Sequence, residues 1–508
     1  MEKSQLRVGV LLSYVNMFIG SLIPMFYTPI MLQLLGQDEY GLYRLAGSVT
    51  SYLSLISFGI GSAVVRYFTK YQAENDKTGE ENIFGLFNVI FGIIAILTIV
   101  IGVVLTLNLG AIYGASLETA ERLFRMQLLV MILSFNTALS FLSSPYNAAI
   151  TSHERFLFLQ VVNIILTVIT PLINLLFLFL GYKSIGLACS TFGINIIVRI
   201  VYVFYTRNKI KIKPRYNNMP RHLIKEILLF SFWVFVANVV NQLHGATDTA
   251  IIGAIPILGT IGVAVYNVGA TFNTMMTNFS TGLLSLLTPK VNKMVFSKKS
   301  KEELTDLMIR VGRLQCYIVS LFCSGFIAFG QPFVYLWAGE AYSEAYYVAI
   351  FTMIPACVPL VQNVAYNVIV AMNKHRFRSI TYLIVAVANV ILTIPATILL
   401  GVVGASLMTG ICSIAGSLVT MNWYYWKKIK LDIPRFWKSV GKIYVFPIIL
   451  CIVTLVISNF VNFFSPIVFL SGVLLFTICF FVFNWRFVMN EYEKNIFITP
   501  IKRIIRKT

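Results

Sequence analysis

Apolar runs of about 20 residues, the length a bilayer span needs, return along the whole of this chain with only short polar breaks between them. They lie roughly at 8–34, 41–68, 83–109, 123–148, 156–181, 184–206, 224–250, 259–287, 305–330, 345–372, 377–400, 402–426, 443–460 and 464–484, about 14 spans in all. The expected fold class is an all-α integral membrane protein. Composition agrees: 58% of the 508 residues are hydrophobic and only 12% are charged. A mean hydropathy of +0.80 leaves no room for a soluble domain of this size. The longest hydrophilic stretches are Thr69–Asn82, Arg207–Lys225, Pro289–Glu303 and the two termini, so no folded extramembrane domain is expected.

A formal net charge of +20 would suggest nucleic acid in a soluble protein. Its placement points to topology instead. Basic residues gather in alternate loops, at Arg66/Lys70/Lys77, Arg155, Arg207 to Lys225, Lys290 to Lys301, Lys374/Arg376/Arg378 and Lys427 to Lys442. The tail adds Arg486, Lys494, Lys502, Arg503, Arg506 and Lys507. The opposite loops hold Arg44, Arg122, Arg125 and Lys183. Lys and Arg collect on the cytoplasmic side, so both termini are expected there and the span count is expected to be even. The clusters also suit anionic lipid headgroups. The N-terminal apolar run is too long for a signal peptide and is followed by many more spans, so it reads as an uncleaved first helix. The seven cysteines all fall inside expected spans without a CxxC, and read as small core residues rather than disulfides or metal ligands.

The chain also repeats itself. LGQDEYGLYRLAGS, Leu35 to Ser48, recurs without a gap as LGTIGVAVYNVGAT, Leu258 to Thr271, which sets Arg44 over Asn267. YNAAI at Tyr146–Ile150 matches YNVIV at Tyr366–Val370, and NIILTV at Asn163–Val168 matches NVILTI at Asn389–Ile394. The same order in both halves defines a six-span module at 1–206, a basic cytoplasmic linker at 207–226 and a second six-span module at 227–426. Two extra spans and a basic tail fill 427–508. Two pseudo-symmetric bundles plus two helices suggest a moving transporter built around a shared site.

Polar residues at helical spacing mark where that site would lie. Arg44, Ser48, Ser51, Ser62 and Arg66 share a face of the second span, and Asn267, Thr271, Thr274, Asn278, Thr281 and Ser285 share a face of its repeat mate. Ser13, Asn16, Gly20, Pro24 and Tyr27 line the first span, with Asn238, Asn241, Gln242, Gly245 and Asp248 as their counterpart. Ser, Thr and Gly also serve helix packing, whereas Asn, Gln and Arg facing lipid are costly and should point into a wet cavity. Arginine suits phosphate, because its planar fork makes paired hydrogen bonds. Arg44 is alternatively an interfacial residue paired with Asp38 or Glu39, and Arg66 a cytoplasmic anchor. Arg310 and Arg313 read as topology signals. Three readings of Asp248 stay open: partner of a cavity arginine, proton carrier, or cap of an irregular helix end. Pro24, Pro355 and Pro359 are expected bending points.

No GxxxxGK[ST], HExxH or GxSxG occurs, so the sequence offers no nucleotide, zinc or hydrolase motif, and no cofactor, metal or enzymatic activity is expected.

In LLGQDEYGLYRLA, GSAVVRYFTKY and ATDTAIIGAIPILGTIGVAVYNVGA, and in its 6 + 6 + 2 span pattern, the chain resembles the polysaccharide flippase branch of the multidrug/oligosaccharidyl-lipid/polysaccharide exporter superfamily. The resemblance implies two six-helix bundles around a central cavity. It implies translocation of undecaprenyl-diphosphate-linked glycans to the outer leaflet of a bacterial cytoplasmic membrane by alternating access. It also implies membrane lipids, a glycan polymerase and glycosyltransferases as partners. Arg44 and Arg66 resemble basic family positions, and Asp248 the acidic position before IIG. The first span lacks the basic cluster of the peptidoglycan lipid-precursor branch and the acidic stripe of the drug-exporter branch. Those branches, a teichoic acid flippase and a membrane glycan polymerase are the alternatives. Substrate contacts are expected from Arg44, Arg66, Ser48, Ser51, Asn16, Asn241, Gln242, Asp248, Asn267, Thr274 and Asn278.

Overall fold

The computed structural model describes residues 2–284, 291, 294, 295, 297, 300–372, 374, 376–495 and 498. Ser285, Lys290, Lys293, Lys298, Lys299 and the tail residues Lys502, Arg503, Arg506 and Lys507 lie outside them. The described residues are almost entirely helical and contain no strand. The chain forms two compact units, Met1–Asn267 with Thr393–Val402, and Val268–Leu392 with Val403–Thr508.

The first unit holds α1 (Glu2–Leu35), α2 (Gln37–Ser51), α3 (Ile60–Ala73), α4 (Lys77–Leu117), α5 (Ala120–Ser152), α6 (Phe156–Phe179), α7 (Lys183–Tyr205), α8 (Ile224–Ala254) and the start of α9 (Gly259–Leu284). Side-chain caps fix the ends that face water. Asp76 accepts from the Gly79 amide at 2.8 Å to open α4, and Thr119 accepts from the Arg122 amide to open α5. At 41 residues α4 is about 60 Å long, twice the hydrocarbon thickness, so it extends well beyond the bilayer. Its outer faces stay apolar: Leu107, Val104 and Ile96 are exposed, as lipid contact requires. Between helices, close approach substitutes for hydrophobic driving force. A Cβ on Gly102 of α4 would overlap Ser134 of α5, and Phe84 packs edge-on against both Phe68 and Tyr146.

One expectation fails here. The second span is not a continuous helix. After α2 the chain tightens into a 3-10 segment, Tyr52–Ser57, and then passes through left-handed backbone at Phe58 (φ 50) and Gly59 (φ 70) before α3 begins. A 3-10 turn advances about 120° per residue, not 100°, and the left-handed pair resets the phase. Ser62 and Arg66 therefore do not continue the stripe of Arg44, Ser48 and Ser51.

The second unit holds the rest of α9, then α10 (Lys301–Ala338), α11 (Ala345–Val361), α12 (Asn363–Ala371), most of α13 (Arg376–Ile414), α14 (Asn422–Lys427), α15 (Ile433–Ile457) and α16 (Pro466–Phe483). A Ser300/Glu303 capping box opens α10, and Asp432 caps α15. α11 and α12 bend by 49° at Gln362, just beyond Pro359, where bending was expected; α1, by contrast, runs through Pro24 as one helix. α13 kinks at Gly401, whose φ of 64 suits glycine.

Arg313, near the start of its span, also has a structural role: its guanidinium is buried. It donates to both carboxylate oxygens of Glu493 (2.5 and 3.0 Å), to the carbonyls of Val488 (2.8 Å) and Ser439 (3.0 Å), and to the Tyr317 hydroxyl (3.1 Å). This saturated pair ties the segment after α16 to α10 and the start of α15. Of the seven cysteines five are buried as expected, while Cys189 is exposed and Cys479 half-buried.

Among the described residues ten helices are long and apolar enough to cross a membrane, up to 12 if each of two bent pairs is one span. The expected spans 377–400 and 402–426 form one run of 52 residues, Arg376–Lys427, and Gly259–Leu284 falls outside the ten.

Candidate functional site

In the first unit a cavity of about 370 Å³ opens among α2, α5, α8 and the start of α9. Tyr43, Arg44, Gly47, Ser48 and Ser51 line it from α2; Gln242, Gly245, Ala246 and Thr249 from α8; Leu133 from α5; and Asn267 from α9. α2 presents this face because its residues 44, 47, 48 and 51 fall at helical spacing. One turn earlier, α2 is anchored by a close contact. A Cβ on Gly41 would overlap the carbonyl oxygen of Thr260, so glycine lets the two backbones meet. Thr260 in turn donates to Asp38.

A polar seam joins α2 to α8 along the cavity wall. Ser48 donates to the Ala246 carbonyl at 2.7 Å, Gln242 donates to Ser51, and the Tyr52 and Thr247 hydroxyls lie 2.7 Å apart. Arg44 uses its Nε to donate to the Asn267 side chain at 2.8 Å. These two positions are aligned in the repeat read from the sequence, and in the structure they are in direct contact. Asn267 is itself held by donation to the Val263 carbonyl and to Thr249.

The carboxylates expected to neutralise Arg44 are engaged by other residues. Asp38 pairs with Arg122 (3.0 Å), and Glu39 with Arg125 (3.2 Å) and the Ser184 hydroxyl (2.5 Å). Among the described residues no carboxylate pairs with Arg44. The cavity is therefore cationic, with neutral amide and hydroxyl groups around one exposed guanidinium. It can hold an anion by paired charge-assisted hydrogen bonds and can offer hydroxyl-bearing ligands several donors and acceptors.

Of the residues expected to contact substrate, Arg44, Ser48, Ser51, Gln242 and Asn267 come together here. The others do not line this cavity. Asp248 is buried and accepts from the Tyr266 hydroxyl at 2.5 Å. Arg66 is exposed on α3 with its guanidinium 4.7 Å from the Phe230 ring. Asn16 accepts from Thr167 at 2.9 Å and joins α1 to α6. Asn241 is exposed on α8. Thr274 and Asn278 are exposed on the part of α9 in the second unit, with Thr274 bonding back to the Ala270 carbonyl. Tyr43 and Thr249 were missed. The spacing 242, 245, 246 and 249 could have found Thr249. The stripe read from the sequence ran through 238, 241, 242, 245 and 248, of which 242 and 245 line the cavity.

The fold and this polar, cationic cavity define a class: a multi-pass, all-helical membrane protein built like flippases and multidrug transporters. Lipid II flippase MurJ in its inward closed conformation matches with a TM-score of 0.72 at 15% identity, over 95% of this chain and 100% of that one. An inward-facing multidrug resistance MATE family transporter of the MOP superfamily matches at 0.66 and 13% identity, over 83% and 95%. The Vibrio cholerae MATE transporter VcmN in its bent form matches at 0.53 and 15%, over 87% and 98%. No curated protein sequence matches. Within that class the chain belongs to the polysaccharide biosynthesis protein family, whose profile matches residues 6–295.

Proposed function

We propose that the protein is a flippase that moves an undecaprenyl-diphosphate-linked polysaccharide repeat unit from the inner to the outer leaflet of a bacterial cytoplasmic membrane. Both termini then face the cytoplasm. The observation that carries this reading is Arg44, a cavity arginine whose hydrogen-bond partner is a neutral amide. An arginine within a span costs roughly 2.5–3.5 kcal/mol on insertion scales. A single interhelical hydrogen bond returns on average about 0.6 kcal/mol. Asn267 alone does not offset that cost, so the charge is retained for water and for a ligand.

In this mechanism the diphosphate meets Arg44, while Ser48, Ser51, Gln242, Thr249 and Asn267 contact sugar hydroxyls. The prenyl chain stays in the bilayer. The present volume is about twelve water volumes, enough for a diphosphate and the sugar beside it. A whole repeat unit requires the cavity to open to one leaflet and then to the other. Glycosyltransferases supply the substrate, and a polymerase consuming it outside gives the direction.

Peptidoglycan lipid precursor and teichoic acid intermediates share the phosphate chemistry, and one experiment separates all three. In a strain lacking the protein, surface polysaccharide should disappear and its lipid-linked repeat unit accumulate, both restored by the wild-type chain. Unchanged surface polysaccharide with accumulation of another lipid-linked intermediate would transfer the assignment to that substrate. Ion-coupled drug export is disfavoured because the buried carboxylate Asp248 does not line the cavity.

A further inference from the structure

The second unit carries a separate cavity of about 210 Å³ at the bend between α11 and α12. Gln362, Asn363 and Tyr366 line it from the bend, Arg378 and Tyr382 from α13, and Ser417 from the segment that follows α13. Arg378 is held between two rings, its guanidinium carbon 4.1 Å from the Tyr366 centroid and 4.6 Å from that of Tyr382. Stacking of this kind uses the faces of the guanidinium; its edge donates to the Tyr382 hydroxyl and has further N–H groups that can bond in the plane. Among the described residues no carboxylate pairs with Arg378. Two acidic groups of the same unit are committed elsewhere: Asp306 pairs with Arg435, and Asp432 caps α15. Lys374 and Arg376 precede it in the chain, and the Lys301 ammonium lies 3.7 Å from the Met372 sulfur, so the surroundings are basic.

We infer that this cavity is a phosphate-binding site, distinct from the Arg44 cavity, that takes the phosphate group of an anionic lipid headgroup or of a free phosphate. Its volume is about seven water volumes, which suits a phosphate and its hydration. A cation would meet a fixed guanidinium and no carboxylate. A phosphate would meet the Arg378 edge with the Asn363 amide and the tyrosine hydroxyls as further donors. Such a ligand bonds to both α12 and α13, so it stiffens the bent span. The bend is already braced from the other side, where Gln362 donates to the Asn422 oxygen at 2.5 Å and Trp437 donates to the same atom at 3.0 Å.

The test uses the full chain in the Arg44→Ala background, so that the other cavity cannot respond. Native mass spectrometry counts phosphatidylglycerol retained from nanodiscs of phosphatidylcholine and phosphatidylglycerol. Inorganic phosphate is titrated separately in phosphatidylcholine nanodiscs, with the thermal midpoint as readout. Retention of a phosphatidylglycerol that Arg378→Gln loses identifies a lipid headgroup as the source. A phosphate-dependent rise in midpoint that Arg378→Gln abolishes, without lipid retention, identifies free phosphate. Asn363→Ala, which leaves the Tyr366–Arg378–Tyr382 stack intact, should weaken either response several-fold and covers the case in which Arg378→Gln fails to fold. Equal lipid retention in all variants, together with no phosphate response that depends on Arg378 or Asn363, overturns the inference.

Discussion

Arg44 and Arg313 are the same residue under opposite conditions. Arg313, in the second unit, is buried and spends its donors on Glu493, Tyr317 and two backbone carbonyls. Arg44, in the first unit, is exposed to a cavity and donates its Nε to a neutral side chain, Asn267. The difference separates an arginine that holds the fold from one that is available to a ligand. Saturation, not burial or charge alone, is the criterion. A saturated arginine should carry stability and little specificity. An unsaturated one should carry function and little stability.

The largest effect should come from breaking the saturated site. Arg313→Ala leaves the Glu493 carboxylate buried without its partner and should cost about 3–5 kcal/mol, read as a lower thermal midpoint in detergent. Replacing both Arg313 and Glu493 with apolar residues should recover part of that loss, because the pair's own desolvation cost disappears with it. Next, Arg44→Ala should change the midpoint by less than about 0.5 kcal/mol while lowering export at least tenfold at matched protein levels, which is about 1.4 kcal/mol of lost substrate interaction. A stability loss as large as that of Arg313→Ala would break the comparison. Arg44→Lys keeps the charge but not the fork, and should lower export by an intermediate, few-fold amount. The smallest effects should come from Arg66→Ala and Asp248→Asn. Arg66 is exposed against Phe230, and Asp248 is buried with Tyr266, so export should stay within about twofold in both. Loss of export in Asp248→Asn at an unchanged midpoint would instead make Asp248 a proton carrier and sharpen the account of coupling.

Much of this was legible in the sequence. The all-helical membrane fold follows from apolar run length, and the Arg44, Ser48, Ser51 face follows from helical spacing within one unbroken helix. The duplication pointed to Asn267 as the mate of Arg44 before their contact was visible. Arg66 was misgrouped because a periodicity argument assumes constant pitch, and the turn at Phe58 and Gly59 is marked only by Ser57, Gly59 and Gly61, residues that also serve packing inside spans. Asp248 was grouped with Gln242 and Gly245, which line the cavity, because a stripe read at i and i+3 widens past the edge of the lining face. The role of Arg313 was hidden for a different reason: its partner Glu493 is 180 residues away, and no local pattern carries that pairing.

The central claim is that Arg44 engages the phosphate of a lipid-linked glycan during translocation. Purified protein reconstituted into vesicles, with the lipid-linked repeat unit in the outer leaflet and its loss from that leaflet followed over time, tests it most directly. We expect translocation by the wild-type chain and a rate at least tenfold lower for Arg44→Ala at equal incorporation and equal thermal midpoint. Equal rates for the two proteins would contradict the account.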